Sequence, residues 1–181
     1  YIDLSAIAKG YVVDQLALYF DSQKIDNYFL EVGGELKMKG QKPKESELGV
    51  LEWASWVPAI ERPVDAAPSV YEVLYSRGEQ IAVAGSGDYR NYFEVDGIRY
   101  SHEIDPRSGF PITHTLAAAY VIHESAALAD ALATTYMILG LEEGSVLAAK
   151  ENHAVFFIAR NAEDNDSGAL SGFDETVTAP F

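Results

Sequence analysis

Cysteine is absent, and the four histidines (His102, His114, His123 and His153) include no closely spaced pair. Disulfides are therefore excluded, and the residue pattern argues against zinc. The missing thiols leave the compartment open. Basic residues are also few: 13 Lys and Arg stand against 28 Asp and Glu, a formal net charge of −15 with pI near 4.5. That balance argues against nucleic acid as a partner, because phosphate backbones require clustered cations. It leaves a nucleotide open, since a metal, one lysine and a helix N-terminus suffice for a pyrophosphate. No apolar run reaches the roughly 18 to 20 residues of a membrane-spanning helix, and no signal-peptide pattern opens the sequence as given. Tyr1-Ile2-Asp3-Leu4 reads as the middle of a strand, so an N-terminal part is expected to be missing. With 181 residues, 48% hydrophobic and 23% charged, the chain fits one globular domain or part of a larger one.

The segment Ser125 to Leu141 is rich in Ala, Leu and Met, with Ser125 placed as an N-cap and Gly140 near the stop. Leu128, Leu132, Thr135 and Leu139 form one face, and Ala126, Ala127, Ala133, Met137 and Ile138 form the other. A helix apolar nearly all round is expected to be buried on both sides. Its single charge is Asp130, with Thr134 one turn later. A buried carboxylate requires a partner, and a carboxylate beside a hydroxyl is a hard-oxygen pair of the kind Mg²⁺ takes.

An amphipathic helix is expected from about Ser5 to Asp21, with Ile7, Val12 or Val13, Leu16 and Phe20 on its buried side. Lys9 and Gly10 near its start have the makings of a phosphate site. Residues 28–32 and 35–39 read as a hairpin around Gly33-Gly34, whose simplest explanation is a backbone with positive φ. Lys37, Lys39, Lys42 and Lys44 look like a solvated edge and loop, with no function assigned. Further strands are expected at 56–60, demoted to an edge by Pro58, and at 71–75, 80–84, 115–123 and 153–159. A hairpin turns at Asp96-Gly97 and carries His102 on its second arm. A short helix is expected at 142–151, a flexible loop at 161–172 and a terminal strand or extension from Phe173. Many strands with few helices and hairpin connections predict an α+β fold with mixed or antiparallel sheets.

Five blocks, in order, resemble a known family: Asp3-Leu4-Ser5-Ala6-Ile7-Ala8-Lys9-Gly10-Tyr11-Val12-Val13-Asp14, Glu31-Val32-Gly33-Gly34-Glu35, Ser86-Gly87-Asp88-Tyr89-Arg90, Tyr100 to Gly109, and Ala129 to Thr134. They are similar to the signature blocks of the ApbE family of FAD:protein FMN transferases, once described as thiamine-biosynthesis lipoproteins. The resemblance implies an ApbE-like, T-fold-related α+β architecture. Residues 1–181 would be the C-terminal major part of a single flavin transferase domain. It also implies a reaction, in which FMN passes from FAD, the substrate, to a Thr or Ser hydroxyl of an acceptor flavoprotein such as a membrane redox subunit, and AMP leaves. By position in the blocks, Asp130 and Thr134 match side-chain ligands of Mg²⁺ and Ala6 a main-chain ligand. Asp3, Lys9 and the backbone at Ile104 match FAD contacts, and His102 matches the histidine of the chemistry. Glu103 stands where the family usually has an apolar residue.

The same resemblance implies a periplasmic protein, membrane-anchored as a lipoprotein at full length. Two other readings use the same residues: a Mg²⁺-dependent FAD pyrophosphatase, with water in place of the acceptor hydroxyl, and a flavin-binding protein without turnover.

Overall fold

The computed structural model describes residues 3–47, 49–64, 67–89, 92–95, 98–160 and 173–178, with backbone alone at 92–95, 98 and 99. The expected Tyr1-Ile2 strand start, the Asp96-Gly97 turn and the 161–172 loop lie outside the described residues. Helix α1 (Ser5–Ser22) leads to a hairpin of β1 (Tyr28–Val32) and β2 (Glu35–Lys39). Two more hairpins follow, β3 (Gln41–Glu45) with β4 (Leu51–Ser55) and β5 (Ala59–Glu61) with β6 (Val70–Val73), and then strand β7 (Ile81–Gly87). The chain continues through β8 (Tyr92–Val95) and β9 (Ile98–Ser101), the short pair β10 (Ile104–Asp105) and β11 (Phe110–Pro111), and β12 (Leu116–His123). Helix α2 (Ala126–Glu151), β13 (Ala154–Arg160) and β14 (Phe173–Thr178) complete it. The main sheet has the order β1-β2-β7-β12-β13-β14, and the α+β expectation holds.

Two compact units divide the chain. The first comprises Tyr1–Arg62, Pro68–Ala84 and His123–Ala131. In it β1 and β2 pair antiparallel from Tyr28↔Lys39 to Val32↔Glu35, and β2 pairs with β7 from Leu36↔Val83 to Met38↔Ile81. Gly33 and Gly34 supply the two positive φ values, 60° and 100°, that the tight turn requires. Val13, Ala82 and Ala126 form a fully buried knot with Leu30 and Val32 against it.

The buried line of α1 is Gly10, Val13 and Ala17: of the expected residues Val13 is fully buried, while Ile7, Val12 and Leu16 are 36%, 45% and 38% exposed. Gly10, Val13 and Ala17 follow at spacings of three and four along one face. The knot takes the smaller residues, because the start of α2 presses against the helix at Gly10. Pro58 lies between β4 and β5 rather than inside a strand; lacking an N–H, it joins the fold through its carbonyl, which accepts from Leu74 N at 2.9 Å.

The second unit comprises Pro63–Ala67, Gly85–Ile122 and Leu132–Phe181. There β13 is flanked by β12 and β14, both antiparallel. Phe157 and Ile158 are fully buried, and Tyr136 of α2 meets Phe157 edge-on at 5.7 Å. Gly140 breaks α2 with φ 76°, as its place near the expected stop suggests.

Two expectations are corrected. Helix α2 is not buried on both sides: Ala129, Ala133, Tyr136 and Met137 are buried, while Leu128 is 48% exposed and Thr135 is exposed. His102 is not in a strand. It sits at a bend between β9 and β10, where the ladder is interrupted.

Candidate active site

The first unit builds its site where α1 begins. Asp3 Oδ1 accepts the Ser5 amide at 2.7 Å, satisfying one free N–H of the helix start. Ser5, through its side chain and its amide, holds the Asp3 carboxyl below the usual carboxylate range. Ala6 follows in the first turn, and Lys9 and Gly10 one turn on.

Gly10 is the contact point. A Cβ there would lie 2.2 Å from Ala126 O and 2.8 Å from Asp130 Cβ, so only glycine lets α1 meet the start of α2. At that approach Gly10 N donates to Asp130 Oδ2 at 2.9 Å. A regular helix directs this same N–H at the Ala6 carbonyl. Asp130 therefore competes for the amide that Ala6 O would otherwise keep.

One turn along, Asp14 caps α2. Its carboxylate accepts Ser125 Oγ at 2.7 Å and the amides of Ala126 and Ala127 at 3.0 Å each. Lys37 Nζ reaches it at 2.7 Å and also the Glu124 carbonyl at 2.8 Å. Burial pushes the Asp14 carboxyl up, but the Ala127 amide, Lys37, the Ala126 amide and Ser125 outweigh it and bring it to about 2. Ser125 also acts as the expected N-cap, its Oγ accepting Leu128 N at 3.3 Å.

These contacts correct the reading of the lysines on β2. Residues 35, 37 and 39 share one strand face, and that face meets α1, not solvent: Lys9 pairs with Glu35, Asp14 with Lys37 and Asp21 with Lys39. Glu35 is 2% exposed and Lys37 8%. Burial drives the Glu35 carboxyl up to about 7, against the pull of Lys9 and with help from Asp130 and Glu31.

His102 and Ile104 stand exposed in the second unit, on a segment pinned from within by Glu103. Glu103 O accepts Ile112 N at 3.1 Å, its amide bonds Ser101 Oγ at 3.2 Å, and its Oε1 takes the Ser86 hydroxyl. Its Oε2 is buried without a partner. Burial raises this carboxyl to about 7; Ser86 lowers it and Asp88 adds to the rise. Asp88 in turn binds Arg160, with Nη1 to Oδ2 at 2.8 Å.

Of the expected site residues, Asp3, Ala6, Lys9 and Asp130 belong to the first unit, and His102, Ile104 and Thr134 to the second. Asp130 is 5% exposed and forms no ion pair with Lys or Arg among the described residues. No group of three or more His, Cys, Asp or Glu able to hold a metal exists among them either. In the first unit a cation would find one buried carboxylate, Asp130, and the Ala6 carbonyl. That all-oxygen set leaves positions for water and phosphate, as Mg²⁺ chemistry demands, and the contested Ala6 carbonyl fits it. In the sequence Asp14 and Glu35 carry no assigned role, and nothing there marks Lys37 or Glu103 as buried. The available signal for Asp14 and Glu35 was an acid closing a recognised block.

The fold and site define an α+β class in which an acid and a lysine gather at a helix start over an antiparallel hairpin. Residues 1–157 match the model of the ApbE family. The FAD:protein FMN transferase of Vibrio cholerae serotype O1 is 41% identical over 173 residues, 96% of this chain and 49% of the relative. That of Escherichia coli K12 is 37% identical over 163 residues, 90% of this chain and 44% of the relative. The apo crystal structure of Pseudomonas stutzeri flavinyl transferase ApbE matches with a TM-score of 0.76 at 39% identity, over 98% of this chain and 49% of that one. The chain belongs to the ApbE family, and it spans about half the length of the curated relatives it matches.

Proposed function

We propose that this chain is part of a Mg²⁺-dependent FAD:protein FMN transferase, which moves FMN from FAD onto a Thr or Ser hydroxyl of an acceptor flavoprotein and releases AMP. The observation that carries the reading is Asp130, a buried carboxylate held by the Gly10 amide at the helix start that also bears Lys9. The names of the relatives support it. Asp130, Thr134 and the Ala6 carbonyl would hold the Mg²⁺, which when bound supplies Lewis-acid neutralisation of pyrophosphate charge. Asp3, Lys9 and the Ile104 backbone would bind FAD, the Lys9 ammonium facing the phosphates.

In the transfer the acceptor oxygen forms a bond to the phosphorus of the FMN half, the bond from that phosphorus to the bridging oxygen breaks, and AMP leaves with the bridging oxygen. His102, exposed at its bend, takes the proton of the acceptor hydroxyl. The same reading puts the full-length protein in the periplasm, lipid-anchored beside a membrane redox acceptor.

The test is AMP release and covalent flavin on a threonine-bearing acceptor, using the intact protein with FAD and either Mg²⁺ or EDTA. Mg²⁺-dependent AMP matched by flavinylated acceptor is expected. His102→Ala should lower transfer by about 100-fold or more while FAD still binds. Free FMN at an acceptor-independent rate would make the protein a pyrophosphatase; flavin binding without AMP would make it a binding protein.

A further inference from the structure

The block Glu31 to Glu35 has no part in the proposed reaction, yet two of its residues, Gly33 and Glu35, meet the side chain of Lys9. A Cβ on Gly33 would sit 3.0 Å from Lys9 Cδ, so the aliphatic stem lies across the turn. The ammonium ends on Glu35 Oε1, where the carboxylate is 2% exposed and the lysine side chain 44%. We propose that Gly33 and Glu35 form a seat for Lys9, with Glu35 as the positioning residue that holds its ammonium toward the FAD pyrophosphate. This rests on the flavin transferase reading of the same site.

The asymmetry of the pair is the physical argument. A surface ion pair is weak because two long side chains must both be ordered. Here one partner is already fixed: Glu35 is the first residue of β2, opposite Val32, and is packed away from water. Only the lysine has freedom to lose. Removing the lysine would leave the buried Glu35 carboxyl without the hydrogen bond it accepts from Lys9, which favours the pairing. An ammonium has three donors, and Glu35 takes one from the inner side. The exposed side keeps the rest for phosphate oxygens. Gly33 completes the seat, since any side chain there would displace the stem.

Glu35→Gln and Glu35→Asp in the full-length protein test this, beside Lys9→Ala. Three quantities are read: the Kd for FAD in EDTA by flavin fluorescence, kcat and KM with Mg²⁺, and the acetylation rate of Lys9 relative to exposed Lys24 by mass spectrometry. Glu35→Gln should raise Kd and KM for FAD by about 10-fold, the low end of the loss seen when an outer-shell partner is removed. Lys9 acetylation should rise several-fold over Lys24. Glu35→Asp, which keeps the charge, should fall between the two. In the Lys9→Ala background Glu35→Gln should add little to the loss of FAD affinity.

A Glu35→Gln protein that melts lower but keeps wild-type FAD affinity and Lys9 labelling would show an ion pair that only stabilises the fold, and would overturn the seat alone. Should Glu35→Gln fail to fold, wild-type values of both quantities in Glu35→Asp and unaltered FAD affinity in Lys9→Ala would overturn it too. An unsubstituted protein that binds no FAD would overturn the flavin reading and, with it, the pyrophosphate as the target of Lys9.

Discussion

Glu103 shows how much one buried side chain can govern. It carries a carboxyl raised to about 7 at a position 7% exposed, with Oε2 lacking a partner. An unfolded Glu titrates near 4.5, so between 4.5 and 7 the folded chain binds the extra proton. Its contribution is fully present below pH 4.5 and is lost as pH rises through about 7. Glu103→Gln removes the titration while leaving Glu35, which has the same sign, in both proteins. The stability of the variant relative to the parent should therefore rise by up to about 3 kcal/mol from pH 4 to pH 8, read from urea unfolding at each pH. A pH-independent difference would mean that Glu103 titrates as an ordinary exposed acid. The sequence marked this residue as unusual for its place but not as buried, because nothing in a run of Ser-His-Glu-Ile tells which side of a bend faces inward.

The meeting of α1 with α2 belongs to the scale of elements. Exchanging Gly10 for Ala should favour an isolated helix by about 1 kcal/mol. In the folded chain the new Cβ would fall 2.2 Å from the Ala126 carbonyl, a backbone atom that cannot swing aside. Overpacking should win, and Gly10→Ala should be net destabilised by about 1 to 3 kcal/mol in thermal or chemical unfolding. Helices, hairpin and α+β class were legible because periodicity and turn residues are local signals. The buried line of α1 was legible only at Val13, since Gly10 and Ala17 are too small to give an apolar signal beside Ile7, Val12 and Leu16. Only the partner helix selects the small residues. For the same reason the charged alternation of β2 read as an edge: period two shows that Glu35, Lys37 and Lys39 share a face, not what that face meets.

For the molecule as a whole, a net charge of −15 on 181 residues means that folding gathers mutually repelling acids. Raising salt from about 10 mM to about 150 mM shortens the screening length from roughly 30 Å to roughly 8 Å. The melting temperature at pH 7 should rise with salt, because the excess acids outnumber the pairs that screening weakens. A fall would mean that the Lys37–Asp14 and Lys39–Asp21 pairs contribute more than the repulsion. Of the candidate site, Asp130 and Lys9 were readable as a lone charge in an apolar helix and a lysine at a helix start. Their neighbours were not, because Asp14 and Glu35 act through residues distant in the chain.

The two-glycine turn between β1 and β2 carries a last consequence. Val32 pairs with Glu35, and the three ion pairs to α1 follow at alternate residues from there. A one-residue insertion that shifted the pairing of β2 would turn all three charges to the opposite face at once and offer Leu36 and Met38 to α1 in their place. The stretch is thus a ruler whose length is fixed even where its letters are free. A slip in its count would cost every rung together.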